Sequence, residues 1–396
     1  MSWPTVPASE FMLKRGGSVN PAKFPEEVFD LLSIPAFDKN EEEVLVGEEI
    51  GSSKSCVQPG DVLLSKIIPH IRRCWVVPPN RGRRQIGSGE WIIFRGKGFF
   101  PNYLKHFLTS NIFHQQFMNT VAGVGGSLVR ARPAQVERIE IPLPPLAEQK
   151  RIAAILDKAD AIRRKRQQAI QLADDFLRSV FLDMFGDPVS NPKGWEKCTV
   201  QNCIENGQIL SVQDGNHGND HPKVADFSDK GYPFIAANVV RRGKILFDKC
   251  YYLDESWLKK LRIGFAKPGD VLLTHKGSLG FTAVLDNTYS TYIFSPQTTY
   301  YRLDKELLEP EFLKGYFDTT TFQRVFKKLG IQSTRAYLGI TKQKELDLYL
   351  PPINKQREYV RIAEKFLKIF ESKYCSEFNF LSLFDSLSQK AFKGEL

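Results

Sequence analysis

The chain has 396 residues, too many for one compact core and enough for two domains with linking structure. Its 42% hydrophobic and 25% charged content is ordinary for a water-soluble protein, and no apolar run approaches the ~20 residues of a membrane span. A net charge of +10 is compatible with a polyanionic partner without requiring one. No signal peptide opens the sequence, and the six cysteines (56, 74, 198, 203, 250, 375) form no CxxC pair. Both features predict free thiols in a reducing cytoplasm rather than a disulfide frame or a zinc site.

Residues 1 to about 140 mix strand and helix signals. Asp61–Ile68 reads as a buried strand entered through a Pro-Gly turn, and Gly89–Arg95 as another. Tyr103–Met118 has helical spacing, with Leu104, Phe107, Leu108 and Phe117 on one face. Basic residues gather between these elements: Lys66, Arg72, Arg73, Arg81, Arg83 and Arg84, then Arg130 and Arg132 after the glycine-rich 123–127. Acids collect elsewhere, at 41–43 and 48–49, so the segment is expected to carry one positive face. The alternative is a set of solvated loops with no partner.

Pro142, Pro144 and Pro145 then lead into a stretch, Leu146 to Phe185, that contains neither Pro nor Gly. Positions 152, 155, 159, 162, 166, 169, 173, 176 and 180 follow a 3/4 spacing and are apolar except Arg166. That seam predicts a helical rod of roughly 60 Å that pairs with another long helix. Gly186 and Asp187-Pro188 stop it.

A second globule runs from about 190 to 348, with strands expected at Ile245–Leu253, Val271–Thr274, Thr282–Leu285 and Thr298–Leu303 and a helix at Glu311–Leu329. Its basic candidates are Arg241, Arg242, Lys276 and Arg335; Lys276 sits in a small-residue turn whose amides could approach a phosphate. A second rod follows, Pro- and Gly-free over 355–392. The halves repeat one another. Leu143-Pro144-Pro145-Leu146-Ala147-Glu148-Gln149 returns as Leu350-Pro351-Pro352-Ile353-Asn354-Lys355-Gln356, Pro59–Ser65 returns as Pro268–Thr274, and Pro101–Phe117 as Pro310–Phe326. The order is globule, rod, globule, rod. The rods are expected to pair antiparallel, the mostly small and aliphatic seam of the first (Ile152, Ile155, Ala159, Ile162, Ala169, Ala173) facing the bulk of the second (Phe366, Phe370, Phe378, Leu381, Phe384, Leu387).

No catalytic constellation stands out. The 123–126 glycines lack a strand before and a helix after, there is no Walker Lys-Ser/Thr, and no Asn/Asp-Pro-Pro-aromatic tetrapeptide of an amino-methyltransferase. His217 and His221 have no further spaced ligand, so no metal is expected. Asp61 with Lys66, and Asp270 with Lys276, bear a faint likeness to nuclease carboxylate–lysine pairs; a turn residue beside a basic loop is the simpler reading.

The two Leu-Pro-Pro segments, the terminal Ala391-Phe392-Lys393-Gly394-Glu395-Leu396, the Pro-Gly-Asp-Val-Leu-Leu turn and the Gly194-Trp195 start together resemble specificity subunits of type I restriction-modification enzymes. The resemblance covers nearly the whole chain; its departures are Asn354-Lys355 for Ala-Glu in the second segment and Trp3-Pro4 for Gly-Trp at the start. It implies an α+β fold: two mixed α/β target-recognition domains (1–141 and 189–349) separated by two long antiparallel coiled-coil helices (142–188 and 350–396) in a pseudo-twofold repeat. It also implies a non-catalytic cytoplasmic subunit that reads one half of a split double-stranded DNA site with each domain. Two methyltransferase subunits, which hold the S-adenosylmethionine, would dock on the rods through Leu146, Ile152, Ile155, Ile162, Phe176, Phe366, Phe370 and Phe384; restriction subunits would join them. This chain itself would need no cofactor. The rivals are a stand-alone nuclease built on the Asp/Lys pairs and a coiled-coil scaffold that binds only protein.

Overall fold

The computed structural model describes residues 3–14, 16–123, 129–217, 221–241, 243–330, 336–374 and 380–396. The principal helices, in chain order, are α1 (Pro101–Thr109), α2 (Asn111–Met118), α3 (Leu146–Phe185), α4 (Val200–Glu205), α5 (Pro310–Asp318), α6 (Thr320–Gly330), α7 (Ile353–Tyr374) and α8 (Phe380–Lys393). Two compact units result, Met1–Gln168 with Glu377–Leu396, and Ala169–Ser376. The boundary falls inside α3, so each unit takes one globule with part of each rod. The mixed α+β architecture expected from the repeat is the one observed.

In the first unit, strand Val62–Ser65 lies between Cys74–Val76 and Trp91–Phe94, antiparallel to both. Its side chains alternate between two cores, as a pleated strand requires: Val62 and Leu64 enter the cluster that includes Tyr103, Leu104 and Phe107 of α1, and Leu63 joins Trp91 and Val77 on the other face. A five-stranded sheet (18–19, 54–56, 84–87, 28–32, 43–46) completes the globule. The second unit repeats the scheme. Val271–Thr274 is flanked antiparallel by Thr282–Val284 and Thr298–Leu303, and Val271 and Leu273 face one core while Leu272 faces another.

Helical spacing over Tyr103–Met118 and Glu311–Leu329 predicts one helix each, and the structure has two each. Ser110 and Thr319 are extended (ψ 158° and 144°), and their hydroxyls accept the Phe113 and Phe322 amides at 3.2 and 3.4 Å. An N-cap breaks the helix at the same place in both repeats, where the apolar period alone gives no sign of it. Likewise the strand expected over Ile245–Leu253 is Lys244–Ile245, a 3-10 turn Phe247–Lys249 and Tyr251–Leu253; the turn brings the Phe247 ring to 5.3 Å from Tyr289.

Antiparallel pairing of the rods holds within each unit. In the first, Arg151 near the start of α3 donates to the carbonyl of Leu396 at 3.1 Å, and Arg163 further along lies over Phe384 at 5.2 Å. In the second, Phe176 packs on Phe366 at 4.4 Å and Phe181 on Tyr359 at 5.4 Å. The register differs from the heptad seam. The buried residues of α3 are Gln149, Ile152, Ala153, Leu156, Asp160, Ala173, Phe181 and Phe185, whereas Ile162 is 51% exposed. A straight helix of 3.6 residues per turn drifts ~20° per heptad from a 3.5 repeat, so a strict 3/4 pattern leaves the core along a 40-residue helix.

The root of each long helix is built the same way. Gln149, 1% exposed, accepts the Phe100 amide at the N-terminus of α1 (2.7 Å) and donates to the Pro144 carbonyl (2.9 Å). Gln356, also 1% exposed, accepts the Glu309 amide before α5 (3.0 Å) and donates to the Pro351 carbonyl (2.8 Å). The far ends match as well. The indole of Trp3 donates to the Ala391 carbonyl at the end of α8 (2.9 Å), and that of Trp195 to the Phe185 carbonyl at the end of α3 (2.8 Å). Trp3 therefore does the work of Trp195 although its neighbours differ.

Replacing either glutamine by Ala leaves a buried helix-end amide and a buried proline carbonyl unpaired. Each substitution should cost about 1–3 kcal/mol, read as a lower urea midpoint at unchanged slope. A shift under about 0.5 kcal/mol would show that water replaces the amide and that the joint is not set by it.

A candidate nucleic-acid interface

In each unit the central strand runs out into a tip made from two distant segments. After Ser65 come Lys66 and Ile67, and Ile67 forms an antiparallel bridge with Arg130. After Thr274 come His275 and Lys276, and Lys276 bridges Tyr337 in the same sense. Arg130 and Tyr337 are therefore matched positions of one frame, bearing different chemistry.

At the first tip the Arg130 guanidinium pairs with Glu90 at 3.1 Å, both side chains partly open to solvent, and Lys66 Nζ donates to the Gly89 carbonyl at 2.6 Å. At the second, Lys276 Nζ lies 5.9 Å above the Tyr337 ring, which is 44% exposed. Beneath it His275 is fully buried, its Nδ1 bonded to the Thr299 hydroxyl and its Nε2 without a partner among the described residues. Burial pushes the His275 imidazole down to about 4, against the opposing pull of Asp214. Glu90 and Tyr337 were not singled out by sequence reasoning; counting the 207-residue offset of the rods forward from Arg130 would have reached Tyr337.

The remaining basic candidates divide sharply. Arg73 is buried and bidentate on Asp38 (2.7 and 2.8 Å), whose carboxyl its hydrogen bonds hold below the usual range. Arg83 is bound to the fully buried Asp30 at 2.5 Å. Both guanidiniums are thus engaged by carboxylates of the fold: the Asp38 side chain is half open to solvent, whereas Asp30 is fully buried and requires a charged partner. Arg72 is exposed but donates to the Thr109 carbonyl (3.2 Å) and Asn111 (2.7 Å); Arg84 lies over Phe24 at 5.5 Å with Glu27 at 3.8 Å. Arg241 donates to the Ala237 and Val240 carbonyls and stacks on Phe281 at 4.7 Å. Arg81 and Arg132 are exposed, with no ion pair among the described residues. Arg242, Arg335, Phe378 and most of the 123–127 glycine segment lie outside the described residues.

The carboxylates of the nuclease reading are committed elsewhere. Asp61, 3% exposed, accepts the Gln58 amide of its own turn (2.8 Å) and a bidentate Arg95 (2.8 and 2.7 Å). Asp270, 3% exposed, does the same with the Lys267 amide (2.8 Å) and Arg302 (3.0 and 2.7 Å). They lock the Pro-Gly-Asp turns, whose Gly60 and Gly269 sit at φ near +86° and +87°. His217 is paired with Asp214 at 2.8 Å. Along the helices Ile152 is buried and Ile155 half-buried, while Leu146 (45%) and Phe176 (43%) are exposed. Phe366 touches Phe176 and Phe370, and Phe384 lies under Arg163. Leu172 and Ile369, 68% and 49% exposed, add to the open apolar surface of the second unit and were missed by the heptad count.

Comparison with known proteins bears on this arrangement. The family described as "Type I restriction modification DNA specificity domain" matches residues 95–172 and 203–374. The specificity subunit of the type I restriction enzyme EcoKI of Escherichia coli (strain K12) is 25% identical over 320 residues, covering 76% of this chain and 66% of that protein. The StySPI specificity subunit of Salmonella potsdam is 26% identical over 322 residues, covering 75% and 65%. The chain thus spans just under two thirds of the length of these relatives. The crystal structure of a type I restriction-modification S subunit from M. genitalium aligns over 99% of this chain and 96% of its own, with TM-score 0.55 and 11% identity, which establishes a common fold.

The buried His275 makes the second unit acid-labile. Its folded pKa lies below the ordinary ~6.5, so the unfolded chain binds its proton first, and the neutral imidazole stabilises the fold above that value. Lowering the pH from about 6.5 to about 4 should therefore remove up to about 3 kcal/mol through this residue. Urea unfolding at stepped pH checks it: His275→Asn should flatten that part of the slope, and an unchanged slope would assign the acid sensitivity elsewhere.

Proposed function

The chain belongs to the type I restriction-modification DNA specificity family, and on that premise we propose that it is the DNA-reading subunit of such a complex. Residues 1–141 and 189–349 are its two target-recognition domains, each reading one half of a split double-stranded site. The observation that supports this best is one frame built twice with unlike tips: Arg130 on Glu90 in one unit, Tyr337 with Lys276 in the other. A common frame presents both tips to a duplex in the same manner, and unlike tips read unlike bases.

Exposed cations such as Arg81 and Arg132 hold phosphates and set position without reading sequence. Arg130 is suited to a guanine edge, since its planar fork can exchange the Glu90 carboxylate for O6 and N7. Glu90 keeps that fork extended beforehand and offsets its charge, which favours the specific contact over indiscriminate phosphate binding. Tyr337 offers a hydroxyl and a ring face in place of the fork.

The subunit is non-catalytic in this reading. S-adenosylmethionine chemistry belongs to two methyltransferase partners, which dock on exposed apolar residues of the long helices, Leu172, Phe176 and Ile369 in the second unit among them. Restriction subunits join the same assembly. The long helices fix the gap between the half-sites; 40 residues make a rod of roughly 60 Å, longer than the ~34–36 Å of one duplex turn.

Substitution separates the two kinds of contact. In the complex assembled with its methyltransferase, Arg132→Ala or Arg81→Ala should weaken all duplexes alike and lower the salt slope by about 1. Arg130→Ala should instead relax one base position by ~1–3 kcal/mol. Anisotropy titrations across salt, on duplexes carrying the methylated site and single-base variants, read both. Wild-type affinity in all three variants at every salt would take the first tip out of the interface.

A further inference from the structure

The second globule opens with a pair of cysteines that no part of the DNA-reading scheme uses. Cys198 lies on strand Glu196–Thr199 and Cys203 on α4, and their sulfurs are 2.6 Å apart. That is well inside the ~3.5–4.0 Å of ordinary non-bonded heavy-atom contact. The turn between them is fixed on both sides. The Thr199 hydroxyl accepts the Asn202 amide at 3.1 Å, and the Asn202 side chain accepts the Thr199 amide at 3.0 Å, a reciprocal cap that holds strand and helix face to face. The strand itself is zipped to Asp347–Leu350, with Cys198 opposite Leu348.

The two thiols are unequal. Cys203 is fully buried in the unit's main core. Cys198 is half-buried and lines an open cavity of about 280 Å³ with Glu196, Asn206, Gln208, Leu350 and Pro351, wide enough to admit a small polar reagent. The hydrogen bond from Cys203 favours the Cys198 thiolate and lowers its pKa despite burial, while Cys203, giving its proton to that bond, is pushed up. Burial pushes Cys74 up to about 12 against the pull of Lys105, and Cys250 up to about 12 with the help of Asp248. An accessible thiol whose ionisation is favoured and which is backed by a second thiol is the arrangement of an attacking and a resolving cysteine. The first unit has no counterpart, since no cysteine precedes Cys56.

We propose that Cys198 and Cys203 form an oxidisable dithiol that reacts with hydroperoxides. The Cys198 thiolate attacks the peroxide, forming an S–O bond as the O–O bond breaks and hydroxide leaves, which takes up a proton to become water. Cys203 then gives up its proton and attacks the sulfenic sulfur; the S–S bond forms, the S–O bond breaks and a second water leaves. Two thiols and one hydrogen peroxide give one disulfide and two waters. The product ties the opening strand of the second unit to α4, beside the Pro351-Pro352 approach to α7.

Trypsin places both residues in one peptide, Cys198–Lys223, so the disulfide is read directly by mass. The reduced full-length chain, titrated with hydrogen peroxide and then alkylated, should yield that peptide lighter by two hydrogens and unalkylated. It should form at least about tenfold faster than any change at Cys74 or Cys250. Cys203→Ser should trap a dimedone-reactive sulfenic acid at Cys198, and Cys198→Ser should leave Cys203 unmodified. Because Cys203 is a core residue, the wild-type peptide map decides even if its variant fails to fold. A wild-type peptide that stays fully alkylated, or goes straight to sulfinic acid at Cys198 without a disulfide, would overturn the proposal.

Discussion

Two buried glutamine amides hold the architecture together. A helix start leaves backbone amides without partners, and whatever packs against the starts of α1 and α5 in the globules must supply acceptors. Gln149 and Gln356 supply them from the first turns of α3 and α7 and in the same stroke tie down the proline carbonyls just upstream. Neither side chain can be replaced by an apolar one without stranding groups away from water. Each long helix is thereby tied to its globule at its first turn, and in the first unit Asp157 further along adds bonds to Asn102 (2.9 Å) and His106 (2.7 Å) of α1.

The two units differ at their tips within a shared frame. Both units keep the central strand between two cores and the Asp–Arg lock under the Pro-Gly turn. They also keep the helix pair broken by a hydroxyl cap. These contacts are buried and would be costly to change singly. The tips, by contrast, are solvated, and exchanging an arginine–glutamate pair for a lysine–tyrosine pair there disturbs no core. A frame buried where it joins the helix and solvated at its tip suits the proposed reading of DNA, since the tip can change without disturbing the joint.

Much of this was legible in the sequence, for definable reasons. The internal repeat carries the glutamines, the turn aspartates and the rods in register, and Pro- and Gly-free stretches of such length have few alternatives to helix. The cap breaks at Ser110 and Thr319 were hidden because apolar spacing runs straight through them. The engagement of Arg73 and Arg83 was hidden because their partners, Asp38 and Asp30, are distant in sequence and meet them only in the folded globule. The seam of α3 was misplaced at Ile162 because a heptad count assumes supercoiling along its whole length. At the tips the frame could be read, and the repeat offset leads from Arg130 to Tyr337, but Glu90 could not, since its pairing with Arg130 joins distant segments and leaves no local pattern.

The central claim is that two copies of one joint carry two independent readers. The most direct test exchanges residues 1–140 for the equivalent segment of another family member that methylates a different site, leaving Gln149 and the rods untouched. Sequencing the methylome of cells carrying the chimaera with its methyltransferase reads the result. One half of the methylated site should change to that of the donor, with the other half and the gap between them unaltered. A site rewritten in both halves, or a changed gap, would contradict the account.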